Sequence, residues 1–146
     1  MPKVVSTTKT YESLLMAIKD KNLKINTAKA GTSIIDTDAL KINILAPNNS
    51  TYTELNNYSA VTKITYGTTK FLFMGDASIN TEKDIMNNYD IGDVFILKVG
   101  HHGSKTSSSE EFINSVNPKY SIISVGKNNK FGHPNKEVLD NLSNSK

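Results

Sequence analysis

The sequence contains no cysteine and only three histidines among its 146 residues. Without cysteine the chain forms no disulfide and offers no thiolate to a metal, so any metal ligand must be a histidine, an aspartate or a glutamate. No apolar run approaches the ~18 residues that a membrane-spanning helix needs. No basic segment followed by an apolar one, as in a secretory leader, opens the chain. With a mean hydropathy of −0.38, these absences predict a soluble domain that makes no membrane contact.

The sequence also has little net charge. The 17 basic and 14 acidic residues leave a net charge of +3, which is spread along the chain and too weak alone to indicate a nucleic-acid-binding protein. A chain of this length can bury one hydrophobic core. Because no repeat or low-complexity tract divides it, we expect residues 1–146 to form one domain.

Hydrophobic patterning predicts a strand-rich first half. A helix is expected to start at Thr10, which would cap it, and to end near Asn22. Irregular segments are expected at residues 1–10 and 48–57. Strands are expected at residues 23–28, 34–35, 41–45, 59–66 and 70–74, and the last two of these should form a hairpin through the turn at residues 67–69.

The second half alternates between strand and helix patterns. Strands are expected at residues 94–99 and 120–125. Helices are expected after a cap at Asn80 or Thr81, at 108–116, where Ser108 and Glu111 fit a capping box, and at 135–142. This order predicts an α/β layered fold, in which helices flank a mixed sheet.

Two apolar segments end in glycine followed by a potential ligand. The first, FLFMGD, ends at Asp76, and the second, VFILKVGHHGS, ends with His101, His102 and Ser104. Apolar runs of this length predict buried strands, and the loops after such strands carry function in α/β sheets. We therefore expect Asp76 and the histidine pair at one edge of one sheet. The alternative for Asp76 is a turn aspartate that caps the next segment.

The histidine pair offers several chemical roles. Adjacent histidines point in different directions, so at most one of His101 and His102 is expected to face a metal, while the other contacts the substrate or supports the ligands. Ser104 and the amides after Gly103 are candidates to bind an anion, with Lys105 supplying charge. The alternative is a polar loop with two exposed imidazoles.

The third histidine, His133, lies in the segment KFGHP at residues 130–134. The proline that follows favours an extended or turn conformation before a helix. His133 is then either a helix-start residue without a catalytic role, or a proton donor to a leaving group, or a phosphate contact. Lys127 and Lys130 would attract a polyanion, or they form a solvated basic loop.

Three segments, FLFMGD, LKVGHHGSKTSSS and IISVGKNNKFGHP, resemble the metallo-β-lactamase superfamily. Within it they are most similar to the branch that includes the hydrolase domain of the DNA-uptake competence protein ComEC. The resemblance runs from about Thr7 to Leu142 and implies an αββα sandwich of two similar halves, with two zinc or manganese ions between them. It also implies that a metal-activated water attacks a phosphodiester, or another ester or amide.

The resemblance assigns roles residue by residue. Asp76 corresponds to the bridging carboxylate, and His102 is favoured over His101 as the last histidine ligand. His101 and His133 correspond to positions near the substrate, where they would be catalytic. The family's His-x-His-x-Asp-His run is absent, since His101 is the first histidine of the chain.

The chain therefore resembles the C-terminal part of the domain, either as a piece of a longer protein or as a homologue that has lost metal binding. Two ligands fall short of the three that hold a catalytic zinc, so weak metal binding and little activity are expected. Half a sandwich leaves one sheet face open, for the missing N-terminal half or for a second copy. The alternative function is a non-catalytic module that binds nucleic acid or a partner through Lys98, Lys105, Lys127 and Lys130. The compartment stays open between the bacterial cytoplasm and its exterior.

Overall fold

The computed structural model describes residues 6–145. The elements in chain order are α1 (Lys9–Asp20), β1 (Ser33–Asp36), β2 (Leu40–Ala46), β3 (Val61–Tyr66), β4 (Thr69–Phe73), α2 (Ile79–Asn88), β5 (Ile96–Lys98), α3 (Glu110–Val116), β6 (Tyr120–Ile122) and α4 (Lys136–Asn144). Short 3-10 turns lie at Leu55–Tyr58 and Gly100–Gly103. No helix in the described part of the chain combines the length and apolar character needed to cross a bilayer.

The six strands form one mixed sheet in the order of the sequence. Strands β1 to β4 are antiparallel neighbours, whereas β4, β5 and β6 are parallel to one another. Parallel neighbours need a crossover connection, and α2 and α3 supply the two crossovers. The predicted α/β fold with a mixed sheet flanked by helices is confirmed.

The β3–β4 hairpin is confirmed with a tighter turn than expected. Tyr66 pairs with Thr69, so only two residues connect the strands instead of three. Gly67 is in the left-handed region, with φ of 57°, a conformation that glycine adopts without steric cost. This hairpin fixes the register of β4, which leads directly to Asp76.

One face of the sheet is buried under α2, α3 and α4. Leu72 of β4 and Leu97 of β5 are neighbours across the strands and fully buried. They belong to a single core cluster that includes Ile85 of α2, Phe112 of α3 and Val138 of α4. These side chains alternate with residues on the opposite face, as strand geometry requires.

The opposite face carries a continuous apolar row. One residue from each strand pairs with the next across the whole sheet, in the order Ile35, Ile42, Ile64, Phe71, Ile96 and Tyr120. Tyr120 is 53% exposed, and the rings of Phe71 and Tyr120 both contact Phe95 edge-on. We call this row the open face. Helix α1 buries none of its own residues, so it does not form a layer of the core.

Two predictions for the first 30 residues are wrong. Residues 23–28 do not form a strand, because their alternating apolar side chains have no neighbouring strand to pair with, and Leu23 and Ile25 are exposed. Helix α1 starts earlier than expected, with Thr8 as the N-cap, whose hydroxyl accepts a hydrogen bond from Tyr11 N. Of the irregular segment predicted at residues 1–10, residues 1–5 lie outside the described chain.

The predicted caps of two later helices are wrong by one to three positions. Ser78 is the N-cap of α2, although its side chain makes no capping hydrogen bond. The hydroxyl of Thr81, one of the two predicted caps, donates to Asn57 Oδ1. Ser109 is the N-cap of α3 and its hydroxyl accepts from Phe112 N. The capping box predicted from Ser108 and Glu111 is therefore not formed.

The last two strands are shorter than predicted. Strand β5 begins at Ile96 instead of residue 94, and β6 ends at Ile122 instead of residue 125. Residues after Ile122 leave the sheet, and the carbonyl of Ser124 turns to the side chain of His102. The end of the strand is thus part of the candidate site.

Candidate metal centre

The carboxyl ends of β4 and β5 lie side by side because these strands are parallel neighbours. The loop after β4 delivers Asp76, and the loop after β5 delivers His101 and His102. The amide of His101 donates to the carbonyl of Gly75 at 2.9 Å, which ties the two loops together. The amide of Asp76 donates to Ser59 Oγ at 3.0 Å. The sequence-based expectation that these residues meet at one edge agrees with this geometry.

Asp76 and His102 form a close pair of potential metal ligands. Asp76 Oδ1 lies 3.5 Å from His102 Nε2, and the two side chains are 45% and 49% exposed. On the far side of the ring, His102 Nδ1 lies 2.7 Å from the carbonyl oxygen of Ser124. Because a carbonyl can only accept, Nδ1 carries a proton, and Nε2 is the nitrogen that faces Asp76.

The distance between these atoms fits one shared ion. Two ligands bound to a tetrahedral zinc at about 2.0–2.1 Å lie about 3.4 Å from each other. The donor set, a carboxylate oxygen and an imidazole nitrogen, also suits zinc or manganese. Among residues 6–145, however, no three histidine, aspartate or glutamate side chains converge as a metal-binding group. The described chain contributes two donors.

The backbone conformation of His101 and His102 sets the relative orientation of their rings. His101 and His102 both adopt left-handed conformations, with φ of 42° and 57°, which are uncommon for residues with a side chain. Their ring centroids lie 6.3 Å apart at 63°. A Cβ on the next residue, Gly103, would come within 2.8 Å of Pro134. Glycine at this position therefore lets the loop before α4 approach the histidines.

His101 lies close to two polar side chains, Thr106 and Asn56. Its Nδ1 lies 3.3 Å from Thr106 Oγ1, and its Nε2 lies 3.4 Å from Asn56 Nδ2. Its ring also contacts the ring of His133 edge-on, at 5.6 Å between centroids. The structure thus brings the three histidines together, and it adds Asn56, which sequence reasoning missed.

His133 lies on the rim of a small cavity of about 260 Å³. The cavity is lined by His102, Ser124, Val125, Gly126, Asn129, Phe131 and His133. The ring of Phe131 stacks on that of His133, with centroids 5.8 Å apart and an angle of 27°. His133 is therefore close enough to contact a ligand that occupies the cavity next to His102.

The remaining candidates differ in accessibility. Ser104 is buried, and its hydroxyl bonds to Thr106 Oγ1 at 3.0 Å and to Thr106 N at 3.3 Å. These bonds order the loop, and anion binding by Ser104 stays a prediction. Lys105 is exposed. Lys98 donates to the carbonyl of Val99 at 2.8 Å; partial burial lowers the pKa of Lys98, and the nearby charge of Asp76 opposes that effect.

The buried side chain of Glu82 holds the end of the loop that carries His101 and His102. The oxygens of Glu82 accept hydrogen bonds from the amides of Ser108 and Ser109 and from the Ser109 hydroxyl. Burial raises the pKa of Glu82, and these hydrogen bonds oppose the rise. Glu82 thus joins the first turn of α2 to the cap of α3. An acidic residue in a first helical turn is ordinary in sequence, so no local pattern could reveal this contact.

A second polar residue anchors the other wall of the site. Asn57 Oδ1 accepts from Ser78 N, Ser78 Oγ and Thr81 Oγ1 at 3.3, 2.6 and 3.0 Å. Asn57 is buried, and it is bonded to the N-cap residue of α2 and to a residue of the first turn of that helix. The segment that presents Asn56 to His101 is thereby fixed to the same helix as Glu82.

A protein-family comparison agrees with this arrangement. Residues 49–127, more than half of the chain, match the family model described as the metallo-beta-lactamase superfamily. The chain belongs to this superfamily.

Curated relatives specify the branch. The chain is 36% identical over 131 residues to ComE operon protein 3 of Bacillus subtilis, covering 90% of this chain and 17% of that protein. It is 36% identical over 103 residues to Recombination protein 2 of Haemophilus influenzae, covering 70% and 13%. It is 33% identical over 107 residues to Competence protein ComA of Neisseria gonorrhoeae, covering 72% and 15%. The predicted place in the competence-related branch is confirmed, and the chain spans less than a fifth of each of these relatives.

Proposed function

We propose that this chain contributes two ligands, Asp76 and His102, to a metal-dependent hydrolase centre that acts on phosphodiesters. The observation that carries the proposal is the 3.5 Å separation of Asp76 Oδ1 and His102 Nε2, with Ser124 fixing the imidazole tautomer from behind. A hydrogen-bonded second nitrogen is typical of histidines that bind metals. A divalent cation held there would supply Lewis acidity towards a phosphate oxygen.

The other histidines would act on the substrate side. His101 and His133 contact each other and border the pair formed by Asp76 and His102, so an ester bound there would meet both rings. Histidine is the side chain that most often acts as a general acid or base in enzymes. We assign to His133 the donation of a proton to the leaving group, and to His101, held by Asn56 and Thr106, the orientation of the substrate.

Phosphodiesters are favoured over other esters by charge. Lys105, Lys127 and Lys130 are exposed in the two loops that carry the histidines. Anionic substrates are attracted by such a local excess of positive charge even when the net charge is small. The similarity to proteins named for competence and recombination supports a nucleic-acid substrate.

Further ligands must come from outside this set, since a catalytic zinc is usually held by three protein side chains. We propose that the chain is the C-terminal part of the domain and that the missing N-terminal half, with its own histidines, covers the open face. The open face ends beside the site, because Phe73 and Lys98, the last residues of β4 and β5, lie next to the loops of Asp76 and His102. A second copy of the chain is the alternative occupant.

Zinc titration of the purified chain tests the proposal. We expect weak binding that falls by at least ~10-fold in His102→Ala, by analogy with the loss caused by altering residues around metal sites. His101→Ala is the matched control, since this neighbouring histidine faces Asn56 and Thr106 and should leave zinc affinity nearly unchanged. Equal losses in both variants, or no loss in His102→Ala, would refute the assignment.

The alternative is a non-catalytic module that binds nucleic acid or a partner through Lys98, Lys105, Lys127 and Lys130. Three of these lysines are exposed, whereas Lys98 is partly buried and bonds to Val99. Such a module would bind oligonucleotides equally well with or without metal and would show no zinc site at His102. The zinc titration therefore separates the two functions.

A further inference from the structure

Phe131 is an unusually exposed aromatic residue beside the candidate site. It is 81% exposed, and no other large apolar side chain among residues 6–145 exceeds 70%. Burying an aromatic ring stabilises a protein, so a ring held in solvent needs another explanation. Its only ring neighbour in the described chain is His133, which stacks on one side.

The loop around Phe131 is ordered by a single side chain. Asn129 Oδ1 accepts from the amides of Phe131 and His133, both at 3.1 Å. Asn129 Nδ2 donates to the carbonyls of Gly126 and His133 at 3.2 and 2.8 Å. These four hydrogen bonds hold the backbone on both sides of Phe131, so the ring projects from a preformed loop and little entropy is lost when it binds a ligand.

The segment that carries the ring is basic and has no acidic residue. Between Glu111 and Glu137 the sequence has no aspartate or glutamate, and it includes Lys127 and Lys130 on either side of Asn129. Both lysines are exposed. An exposed ring flanked by cations matches a ligand that alternates flat apolar groups with negative charges.

We infer that Phe131 is a stacking platform for a base of a single-stranded nucleic acid, with Lys127 and Lys130 binding the adjacent phosphates. Proteins that bind single strands combine aromatic rings, on which bases stack, with basic grooves that follow the backbone. In a duplex both faces of each base are already stacked, so a single strand is the form that fits the ring. Binding of a single strand by Phe131 does not depend on the proposed function. That the bound strand is also the substrate does rest on the proposed function.

The surface that would bind the single-stranded nucleic acid is continuous with the candidate metal centre. Phe131 stacks on His133 and lines the same cavity as His102. A base on the free side of Phe131 places its neighbouring phosphate near the three histidines. Phe131 is thus a substrate-binding residue, distinct from the pair of atoms proposed to hold the metal.

Fluorescence titration tests the stacking directly, because the chain contains no tryptophan. In Phe131→Trp the only indole is the platform itself, and a stacked base should quench it when a thymidine oligonucleotide of about 12 residues is added. The titration is done with EDTA present, so that metal binding plays no part. Matching quenching by a duplex of the same length would overturn the preference for single strands.

Affinity measurements on Phe131→Ala and Phe131→Leu complete the test. We expect both variants to bind the oligonucleotide about 5- to 100-fold more weakly, since leucine keeps the apolar character but lacks a ring. Tyr66→Ala is the matched control: Tyr66 is also an exposed aromatic residue, but it lies at the far end of β3 next to the Gly67 turn. Its affinity should equal that of the unaltered chain.

Each remaining outcome is decisive. If the unaltered chain does not bind the oligonucleotide, or if Phe131→Ala binds as well as the unaltered chain, the platform is wrong. If binding is lost only in Lys127→Ala and Lys130→Ala, the contacts are to the phosphates and stacking is refuted. The zinc titration does not involve Phe131, so failure here leaves the proposed function standing, and failure of the zinc titration leaves this inference testable as before.

Discussion

Glu82 shows how much the site depends on a residue without chemistry of its own. Its carboxyl group is fully buried and accepts hydrogen bonds from the amides of Ser108 and Ser109, which directly precede α3, and from the Ser109 hydroxyl. The loop between Gly100 and Ser109, which carries the histidines, is therefore fixed at its distal end. At its start, the loop is fixed by the bond between His101 and Gly75.

The raised pKa of Glu82 predicts a pH dependence of stability. Burial holds this pKa above its usual value of 4.5, so the folded protein binds the proton more tightly than the unfolded one. The contribution of Glu82 to stability is then fully present below pH 4.5 and is lost as the pH rises through the folded pKa. Each unit of pKa difference between the two states corresponds to about 1.4 kcal/mol.

Urea unfolding of the unaltered chain and of Glu82→Gln, compared at several pH values, measures this contribution. The free energy of unfolding of the unaltered chain minus that of Glu82→Gln should decrease from pH 4.5 towards pH 8, because glutamine cannot ionise. Groups common to both proteins cancel in the difference. A difference that is independent of pH would show that the hydrogen bonds cancel the effect of burial on this pKa, and one that increases with pH would show that they outweigh it.

At this scale, sequence reasoning succeeds for residues next to strong strand patterns. Asp76 and His102 follow apolar strands and glycines, so their common location at the sheet edge could be foreseen. Asn57, Glu82 and Ser124 could not be foreseen, since each acts on a segment more than 20 positions away along the chain. Such contacts depend on the tertiary fold and leave no local pattern.

Among the elements, the strands that pair with a neighbouring strand were predicted correctly, whereas the strand predicted at residues 23–28 does not form. The alternation of Leu23 and Ile25 resembles that of Ile42 and Ile44, yet only the latter pair lies in a strand. The difference is the partner: β2 pairs on both sides, with β1 and β3. Alternation states that one face is apolar, but a strand also needs backbone hydrogen bonds from a neighbour.

The open face of the sheet leads us to predict self-association of the chain. Ile35 and Tyr120 at the two ends of the open face are exposed, and the four residues between them are half-buried. A contiguous apolar row that is only partly covered is typical of an interaction site, so the isolated chain should self-associate when no other partner covers it. Tyr120→Ser removes a large and half-exposed ring from the row and should weaken self-association on the order of tenfold, since tyrosines often dominate interface energetics. Sedimentation velocity over a concentration series measures the effect.

The control for this experiment is Leu55→Ser. Leu55 is more exposed than Tyr120 but lies in a 3-10 turn outside the sheet, so its replacement should leave association unchanged. A chain that remains monomeric at the highest concentrations, or two variants that behave alike, would show that the open face is not the contact.

For the whole molecule, the mixed sheet with flanking helices and the family could be predicted from the sequence, whereas the order of the strands could not. Residues 49–127 match the superfamily, yet within residues 6–145 the metal-ligating side chains do not reach three at any point. The geometry is that of one side of a centre, with two donors at the edge of a sheet and an apolar face beside them. This is the arrangement expected if the second side is supplied by another segment.

Manganese titration of the ¹⁵N-labelled chain, followed by NMR, tests the central claim most directly. Paramagnetic Mn²⁺ broadens the resonances of nuclei close to where it binds. We expect the amides of Asp76 and His102 to broaden first and Asp76→Asn to abolish this selective effect. Broadening that starts at the exposed acidic pair Glu110 and Glu111, or that is unaffected by Asp76→Asn, would contradict it.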